Sequence, residues 1–201
     1  MYTQITKNEG IAATIIGEGR IAAFPTGTSY GLAADALQGF ALQRLRQLKN
    51  RPTAKTFTIM LTVSLWDKYL LLTNDERKLL NQYKDQPLTL LVKPKPSLEH
   101  LAKNGFVGLR VIDHPLMKAL AEAARVPLTA TSANQADQKP CHSVDCIVKT
   151  FPGRIDETTY DLSLGCILDG GTLSENPSTT IAKLEKDKIK IVRQGALIFP
   201  L

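Results

Sequence analysis

Hydrophobic and polar positions follow two different patterns along the chain. In residues 40–48, apolar side chains recur at positions 40, 41, 42, 45 and 48, which places them on one stripe of a helix. Residues 20–24 instead form a short apolar run that ends at Pro25, as expected for a buried strand. The first pattern predicts helices at residues 8–18, 40–48, 74–83, 114–125 and 144–151. The second predicts strands at residues 20–24, 57–63, 88–92, 107–112, 128–131, 167–168, 179–184 and 189–193. Alternating helices and strands favour one layered α/β domain, α+β-like in its layering, over residues 1–201.

Two of the predicted helices have recognisable starts. Asn74 stands where a side chain can cap the helix at 74–83. Pro115 lies in the first turn of the helix at 114–125, where a missing N–H is tolerated. We therefore interpret His114 as a helix-start residue and not as a proton carrier.

Composition narrows the class of protein. The chain has 201 residues and 43% apolar content, and no apolar run is long enough to predict a membrane span. Its first residues lack the basic and apolar pattern of a secretory leader, which predicts a cytoplasmic protein. The three cysteines predict free thiols in a reducing compartment better than a disulfide framework. Cys141, His142 and Cys146 are close in sequence, but no second ligand pair follows, so a zinc site is not expected.

The formal charge of +6 favours anionic partners such as a nucleotide, tRNA or other RNA. The basic residues are scattered along the chain, and aromatic residues that could stack on bases are few. Charge alone therefore decides neither for a nucleotide pocket nor for an RNA-binding surface.

A basic cluster follows a hydroxyl-rich segment, PTGTSYGL, at residues 25–32. The cluster contains Lys49, Arg51 and Lys55 within seven residues. Arginine offers a planar fork of donors and lysine a mobile point charge, and both match phosphate oxygens. The alternative interpretation is a solvated positive face at the end of a helix.

Further polar motifs follow in a defined order along the chain. They are GLRVIDHP at 108–115, PLTATSAN at 127–134, ILDGG at 167–171, NPSTTI at 176–181 and IVRQGA at 191–196. Together with segments 25–32 and 49–55, this series resembles the Sua5/YciO/YrdC/YwlC family, and most closely its stand-alone YrdC-type members. The resemblance implies a twisted mixed β-sheet flanked by helices, with a large concave cleft.

The resemblance also implies an activity, that of an L-threonylcarbamoyladenylate synthase. Such an enzyme joins L-threonine, bicarbonate and ATP, with Mg²⁺ accompanying ATP, into threonylcarbamoyl-AMP and pyrophosphate. Downstream threonylcarbamoyl-transfer proteins then use the product to modify an adenosine in tRNA. The threonine amine must first combine with bicarbonate, and the resulting carbamate must then attack the α-phosphate of ATP. These two steps need positioning and charge neutralisation more than a protein nucleophile. Two alternatives stay open: a YciO-like paralogue that lacks this activity, and a double-stranded RNA-binding module.

Site residues follow from the family motifs, position by position. The resemblance assigns ATP binding to Lys49, Arg51, Lys55, Ser132, Asn134, Cys141, Ser143 and Arg193. It assigns threonine binding to Thr28, Arg110, Ala130 and Ser178, with Arg110 forking onto the amino-acid carboxylate. No residue is assigned as catalytic or as a metal ligand.

Several of these residues also have a structural interpretation. Arg110 could pair with Asp113, and Ser178 could cap a turn. Tyr30 is expected to pack and not to catalyse, and residues 169–171 are expected to form a tight turn. Gly27 differs from the acidic residue that is common at this position in the family.

Overall fold

The computed structural model describes residues 3–152, 163–186 and 188–200. Its helices are α1 (Glu9–Gly17), α2 (Gly39–Leu48), α3 (Trp66–Tyr69), α4 (Asn74–Gln82), α5 (Pro115–Ala124) and α6 (Val144–Thr150). Its strands are β1 (Gln4–Thr6), β2 (Ala22–Pro25), β3 (Tyr30–Ala33), β4 (Ile59–Met60), β5 (Leu70–Leu71), β6 (Leu88–Pro94), β7 (Val107–Arg110), β8 (Leu128–Thr129), β9 (Thr131–Ser132), β10 (Cys166–Leu168), β11 (Thr180–Glu185) and β12 (Lys188–Arg193).

The strands form two mixed sheets. The first sheet has the order β1-β10-β2-β3-β9, with parallel pairs up to β2 and antiparallel pairs after it. The second has the order β12-β11-β6-β7-β4-β8, and β5 pairs with β6 beside this path. Mixed α/β layering with flanking helices is thereby confirmed, although the strands divide between two sheets.

Local sequence explains why the helices begin where they do. The Asn8 side chain accepts hydrogen bonds from the backbone N–H groups of Gly10 and Ile11, at 2.9 and 3.2 Å, and so caps α1. At α4 the prediction of Asn74 as the cap is wrong by one residue. Thr73 is the cap, because its hydroxyl accepts from the Glu76 N–H while the Glu76 carboxylate accepts from the Thr73 N–H.

His114 caps α5, which confirms its interpretation as a helix-start residue. Its Nδ1 accepts a hydrogen bond from the Leu116 N–H at 3.2 Å, and Pro115 takes the first helical position. Burial lowers the pKa of His114, more than the nearby Asp113 charge raises it.

The two sheets meet at residues 128–132, and the sequence pattern predicts residues 128–131 as one strand. This segment divides between the sheets: β8 pairs with β4 in the second sheet, and β9 pairs with β3 in the first. Between them, the Ala130 N–H donates to the Thr58 carbonyl at 2.9 Å. A shared core that includes Leu32, Leu45 and Leu90 packs against both sheets. The crossing point is therefore rigid, and it lies beside the cavity described below.

The sequence predicts three free thiols, and this prediction is wrong for two of the three cysteines. Cys141 and Cys146 form a disulfide, because the chain turns back at the start of α6 and brings their Cα atoms within 5.4 Å. Cys166 is a free thiol in β10, and burial raises its pKa to about 11. Across residues 3–152, 163–186 and 188–200, no helix is long and apolar enough to cross a bilayer.

Candidate functional site

A cavity of about 590 Å³, here called the polar cleft, opens where the two sheets meet. It gathers residues that are far apart in sequence. Among its lining residues are these predicted site residues: Thr28, Arg51, Arg110, Ala130, Ser132, Ser178 and Arg193. The volume lies in the range of pockets that hold small molecules and cofactors. The tertiary structure therefore brings predicted phosphate-binding and amino-acid-binding positions into one cavity.

The charge of the polar cleft has one sign. Arg51, Lys103, Arg110 and Arg193 line it, and none of the described lining residues is an aspartate or a glutamate. Burial lowers the pKa of Arg193, and the neighbouring Arg110 charge lowers it further. An anion between these cations would relieve their mutual repulsion, so the cleft is built for an anionic ligand.

Arg193 is held at the cleft by backbone contacts. Its Nη2 donates to the Thr179 carbonyl at 2.8 Å, and no carboxylate among the described residues forms an ion pair with it. The chain after it packs tightly, since a Cβ atom on Gly195 would lie 2.1 Å from the Ser178 carbonyl oxygen. Only glycine fits at position 195, because the backbone of residues 178–179 lies directly against it.

The hydroxyl-rich segment forms a compact turn followed by a strand. Thr26 organises the turn: its Oγ1 donates to the Ser29 carbonyl at 2.7 Å and accepts from the Thr28 N–H at 3.2 Å. Residues 30–33 then form β3. The sequence pattern did not predict this strand, because the hydroxyl and glycine residues of segment 25–32 interrupt the apolar run. β3 pairs with β2 on one side and β9 on the other, so it fixes the turn at the cleft.

Tyr30 packs, as expected. Its ring is fully buried, and its hydroxyl donates to the Gly171 carbonyl at 2.8 Å and accepts from the Gly170 N–H at 2.9 Å. Burial raises its pKa. Of the tight turn expected at 169–171, the positive φ is confirmed at Gly171, where it is 74°. No backbone turn is assigned there, and the Gly171 N–H donates to Asp169 Oδ1 at 2.8 Å instead.

Arg110 makes the ion pair that its structural interpretation predicts. Its Nη2 lies 2.9 Å from Asp113 Oδ2, and the two side chains are only 10% and 2% exposed. Asp113 also accepts from the Gly27 N–H at 3.0 Å, and Arg110 Nη2 lies 3.4 Å from Thr28 Oγ1. This pair thus links the end of β7 to the hydroxyl turn.

The absence of a side chain at Gly27 leaves room for Asp113. A Cβ atom there would lie 2.8 Å from Asp113 Oδ2 and 2.9 Å from its Cγ. We expect Gly27→Ala to displace the carboxylate and to lower the free energy of unfolding by about 1–3 kcal/mol.

Urea unfolding with an unchanged m-value measures this effect. Gly39→Ala is the matched control, since a Cβ atom at Gly39 meets nothing within 4 Å and alanine suits a helix. Equal stability of Gly27→Ala and the original protein would contradict the packing argument.

Lys49, Lys55 and Asn134 lie in an adjoining cavity of about 210 Å³, which shares Arg51 with the polar cleft. Lys49 is fully buried, and its ammonium group donates to the Ser132 carbonyl, to the Asn134 carbonyl at 2.7 Å and to Asn134 Oδ1 at 3.2 Å. Burial, and then the Arg51 charge, lower its pKa to about 7. Its donors are thus engaged by the loop at 132–134, which it holds in place.

Arg51 and Lys55 differ in how firmly they are held. The Arg51 guanidinium lies 5.0 Å from the centre of the Phe57 ring and donates to the Thr56 carbonyl at 2.6 Å. Burial and the neighbouring Arg46 charge lower its pKa. Lys55 is exposed and lies 3.3 Å from Asp137. Arg51 is therefore the preorganised cation of the cluster.

Cys141 and Ser143 line neither of these cavities. Cys141 is buried in its disulfide, and the Ser143 hydroxyl caps α6 by accepting from the Cys146 N–H at 3.2 Å. Their neighbour Pro140 does line the polar cleft. The predicted loop is therefore next to the cavity in sequence, but neither of its two predicted side chains lines it.

The polar cleft also contains residues that sequence reasoning missed. Thr58, Thr89, Asn104, Asn176 and Thr179 contribute polar groups to its wall. Asn176 and Thr179 belong to a motif noted in the sequence, and Thr179 Oγ1 lies 2.9 Å from that of Thr89. Thr58 and Thr89 lie in or beside predicted strands, where no local signal marks a binding role.

Comparisons with known proteins agree with this architecture. Residues 14–195 match the Sua5/YciO/YrdC family model, which is described as telomere recombination. The chain is 29% identical to a putative threonylcarbamoyl-AMP synthase of Methanocaldococcus jannaschii, over 89% of this chain and 81% of that protein. It is 30% identical to a threonylcarbamoyl-AMP synthase of Vibrio campbellii, over 88% of this chain and 93% of that protein.

A solved structure supports the fold. The P. abyssi Sua5 protein complexed with L-threonine superposes with a TM-score of 0.81 at 25% identity. The match covers 97% of this chain and 58% of that one, so the chain spans little more than half of that larger protein.

Proposed function

The chain belongs to the Sua5/YciO/YrdC family, and from this premise we propose that it is a threonylcarbamoyl-AMP synthase, a nucleotidyltransferase. The observation that carries the proposal is the polar cleft, which combines several cations, no described acidic residue and a hydroxyl-rich turn. Relatives in two organisms bear this activity in their names. The cleft suits a substrate pair made of a polyphosphate and a small hydroxylated amino acid.

At the phosphate end, Arg51 and Arg193 neutralise the triphosphate, with Lys55 at the rim. Ser132 lies in the same wall, and its hydroxyl donates to Asn134 Oδ1. Arg193 supports this role because no described carboxylate competes for it. In-line attack on the α-phosphate places charge on the leaving pyrophosphate, which fixed guanidinium groups stabilise. Lys49 acts indirectly, by holding the loop that presents Ser132.

At the amino-acid end, Arg110 binds the threonine carboxylate while Thr28, Ala130 and Ser178 enclose the side chain. Arg110 keeps spare donor capacity, since its Nε–H has no hydrogen-bond partner within the described part of the chain. Asp113 orients the guanidinium from the side. The threonine amine combines with bicarbonate to give a carbamate and water, and the carbamate oxygen then attacks the α-phosphorus as pyrophosphate leaves.

Mg²⁺ is proposed to arrive with ATP. The described residues contain no cluster of three or more His, Cys, Asp or Glu side chains that could hold a metal, and the described cleft wall offers hydroxyl and amide oxygens without a carboxylate. Such a wall fits an ion that keeps its phosphate and water ligands. When bound, Mg²⁺ supplies charge neutralisation at the phosphates.

We place this reaction in the cytoplasm and assign its product to tRNA threonylcarbamoyl-transfer proteins. The product is a mixed anhydride that water destroys, so a downstream partner must accept it promptly. RNA binding by the chain itself has only the net charge of +6 in its favour.

Incubation of the protein with ATP, Mg²⁺, bicarbonate and labelled threonine tests the proposal. We expect pyrophosphate release and a labelled adenylate only when all the substrates are present. Thermal-shift measurements with ATP and threonine separate the alternatives, because each bound ligand stabilises the fold. Stabilisation by ATP without threonine-dependent turnover would reject the synthase and favour a YciO-like paralogue. Salt-sensitive RNA binding that ATP does not displace would favour the RNA-binding alternative.

A further inference from the structure

A second cavity, of about 640 Å³, lies away from the nucleotide-binding residues, and we call it the α4–α5 cleft. Its wall comprises segment 61–66, the end of α4 with the turn after it, residues 109–112 at the end of β7, and Lys118, Glu122 and Arg125 from α5 and its C-cap. Of the residues that line the polar cleft, Arg110 alone also lines this one. It is large enough for a small organic molecule.

The inner wall of the α4–α5 cleft is apolar. Its apolar side chains come from several elements and include Leu61, Leu65, Leu80, Leu109, Val111 and Ile112. Water that lies against these side chains has no hydrogen-bond partner among them, so replacing it with an apolar group is favourable. The wall therefore selects a ligand with a hydrophobic body.

A buried donor in this wall has no partner. Trp66 is only 8% exposed, and its indole Nε1–H donates to nothing within residues 3–152, 163–186 and 188–200. The Nε1 atom itself is shielded from solvent, so this donor lies within the wall and not at the surface of the cleft.

The rim adds charge of a preferred sign. The rim carries three basic residues, Lys84, Lys118 and Arg125, and two acidic ones, Asp85 and Glu122, so positive charge is in excess. Lys118 is only loosely paired, since its Nζ lies 3.9 Å from Glu122 Oε1 and both side chains are largely exposed. The rim thus favours an anionic group on an occupant whose body lies deeper.

We propose that the α4–α5 cleft is a second ligand-binding site, which takes a small amphipathic anion: an aromatic or branched apolar body that carries a carboxylate or a similar acid. The apolar wall selects the hydrophobic body of this ligand class, and the basic rim selects its acidic group. The site shares Arg110 with the proposed threonine end of the polar cleft and no lining residue with the proposed ATP end. Its apolar wall and basic rim do not depend on Arg110, so the site stands whether or not the chain is a synthase.

Fluorescence offers a direct test, because Trp66 is the single tryptophan of the chain. The probe is anilinonaphthalene sulfonate, which has an aromatic body and one negative charge. We expect saturable binding to the folded protein, with quenching of Trp66 emission and energy transfer to the probe, and no displacement by ATP.

Val63→Asp places a negative charge at the cleft. Val63 is 64% exposed, so the substitution leaves the packing of the core unchanged. We expect it to weaken probe binding about tenfold at low salt. Ile198→Asp is the matched control, because Ile198 is 79% exposed and lines none of the three cavities described here. Equal weakening by both substitutions, or by neither, would overturn the site.

Competition with small aromatic molecules tests the preferred charge. Benzoate should displace the probe at a concentration about tenfold lower than benzyl alcohol, its neutral counterpart, because only benzoate interacts with the basic rim. Equal displacement by the two compounds would overturn the assignment of an anionic ligand.

Discussion

Replacing Lys49 with methionine is expected to lower the free energy of unfolding by about 3 kcal/mol. The substitution removes the donor to the Ser132 carbonyl and to the two oxygens of Asn134, all within a loop at the polar cleft. Each buried oxygen that loses its donor costs roughly 1–3 kcal/mol, and methionine recovers only part of this through its apolar volume. Urea unfolding at pH 8 measures the difference.

The pH dependence gives Lys49 a signature of its own. Because its pKa falls to about 7 in the folded protein, the unfolded chain binds more protons between pH 7 and the ordinary lysine pKa of 10.5. The contribution of Lys49 to stability therefore rises with pH across this window. The stability gap between the original protein and Lys49→Met should widen from pH 6 to pH 9.

Lys55→Met is the control, since Lys55 is exposed and its ion pair with Asp137 contributes little. We expect it to change stability by less than about 0.5 kcal/mol. A similar small change for Lys49→Met, with no dependence on pH, would contradict the structural role of Lys49.

Replacing Arg193 with methionine is expected to reduce kcat/KM for pyrophosphate formation about 100-fold. Arg193 presents a guanidinium without a carboxylate partner in the described structure, beside Arg110 and next to Thr179. A charge-assisted hydrogen bond to phosphate contributes roughly 1.5–3 kcal/mol, which corresponds to a factor of about 10 to 150. The ATP dissociation constant should rise as well.

Lys190→Met removes a charge from the same strand without touching the polar cleft. Lys190 is exposed and pairs with Glu185 at 3.4 Å. This control should leave kcat/KM within about twofold of the original value. If Arg193→Met behaves like it, with both proteins folded, Arg193 does not bind the triphosphate.

The order of the motifs predicted which residues line the polar cleft better than it predicted what their side chains contact. Thr28, Arg110 and Arg193 come from separate segments and line one cavity. Yet Lys49 points into the protein and not into the larger cleft, because its ammonium group is held by the loop at 132–134. The residue type alone predicts a cation at position 49. What its ammonium group binds depends on the oxygen atoms that the fold places around it.

The helices were the most predictable part of the fold. α2 follows from its apolar spacing, and α5 follows from its capping His114 and the Pro115 beside it; both signals act within a few positions. β3 was not predicted, since the stability of Tyr30–Ala33 as a strand comes from pairing with β2 and with β9, and β9 lies far along the chain.

What the sequence by itself determined is local: the helical stripes, the capping residues, and the ordered motifs that resemble one family. The tertiary structure alone decided the rest. It divided residues 128–132 between two sheets, brought Gly27 against Asp113 and opened the α4–α5 cleft. The physical reason is that these features depend on contacts between distant segments, whose geometry no short window of sequence contains.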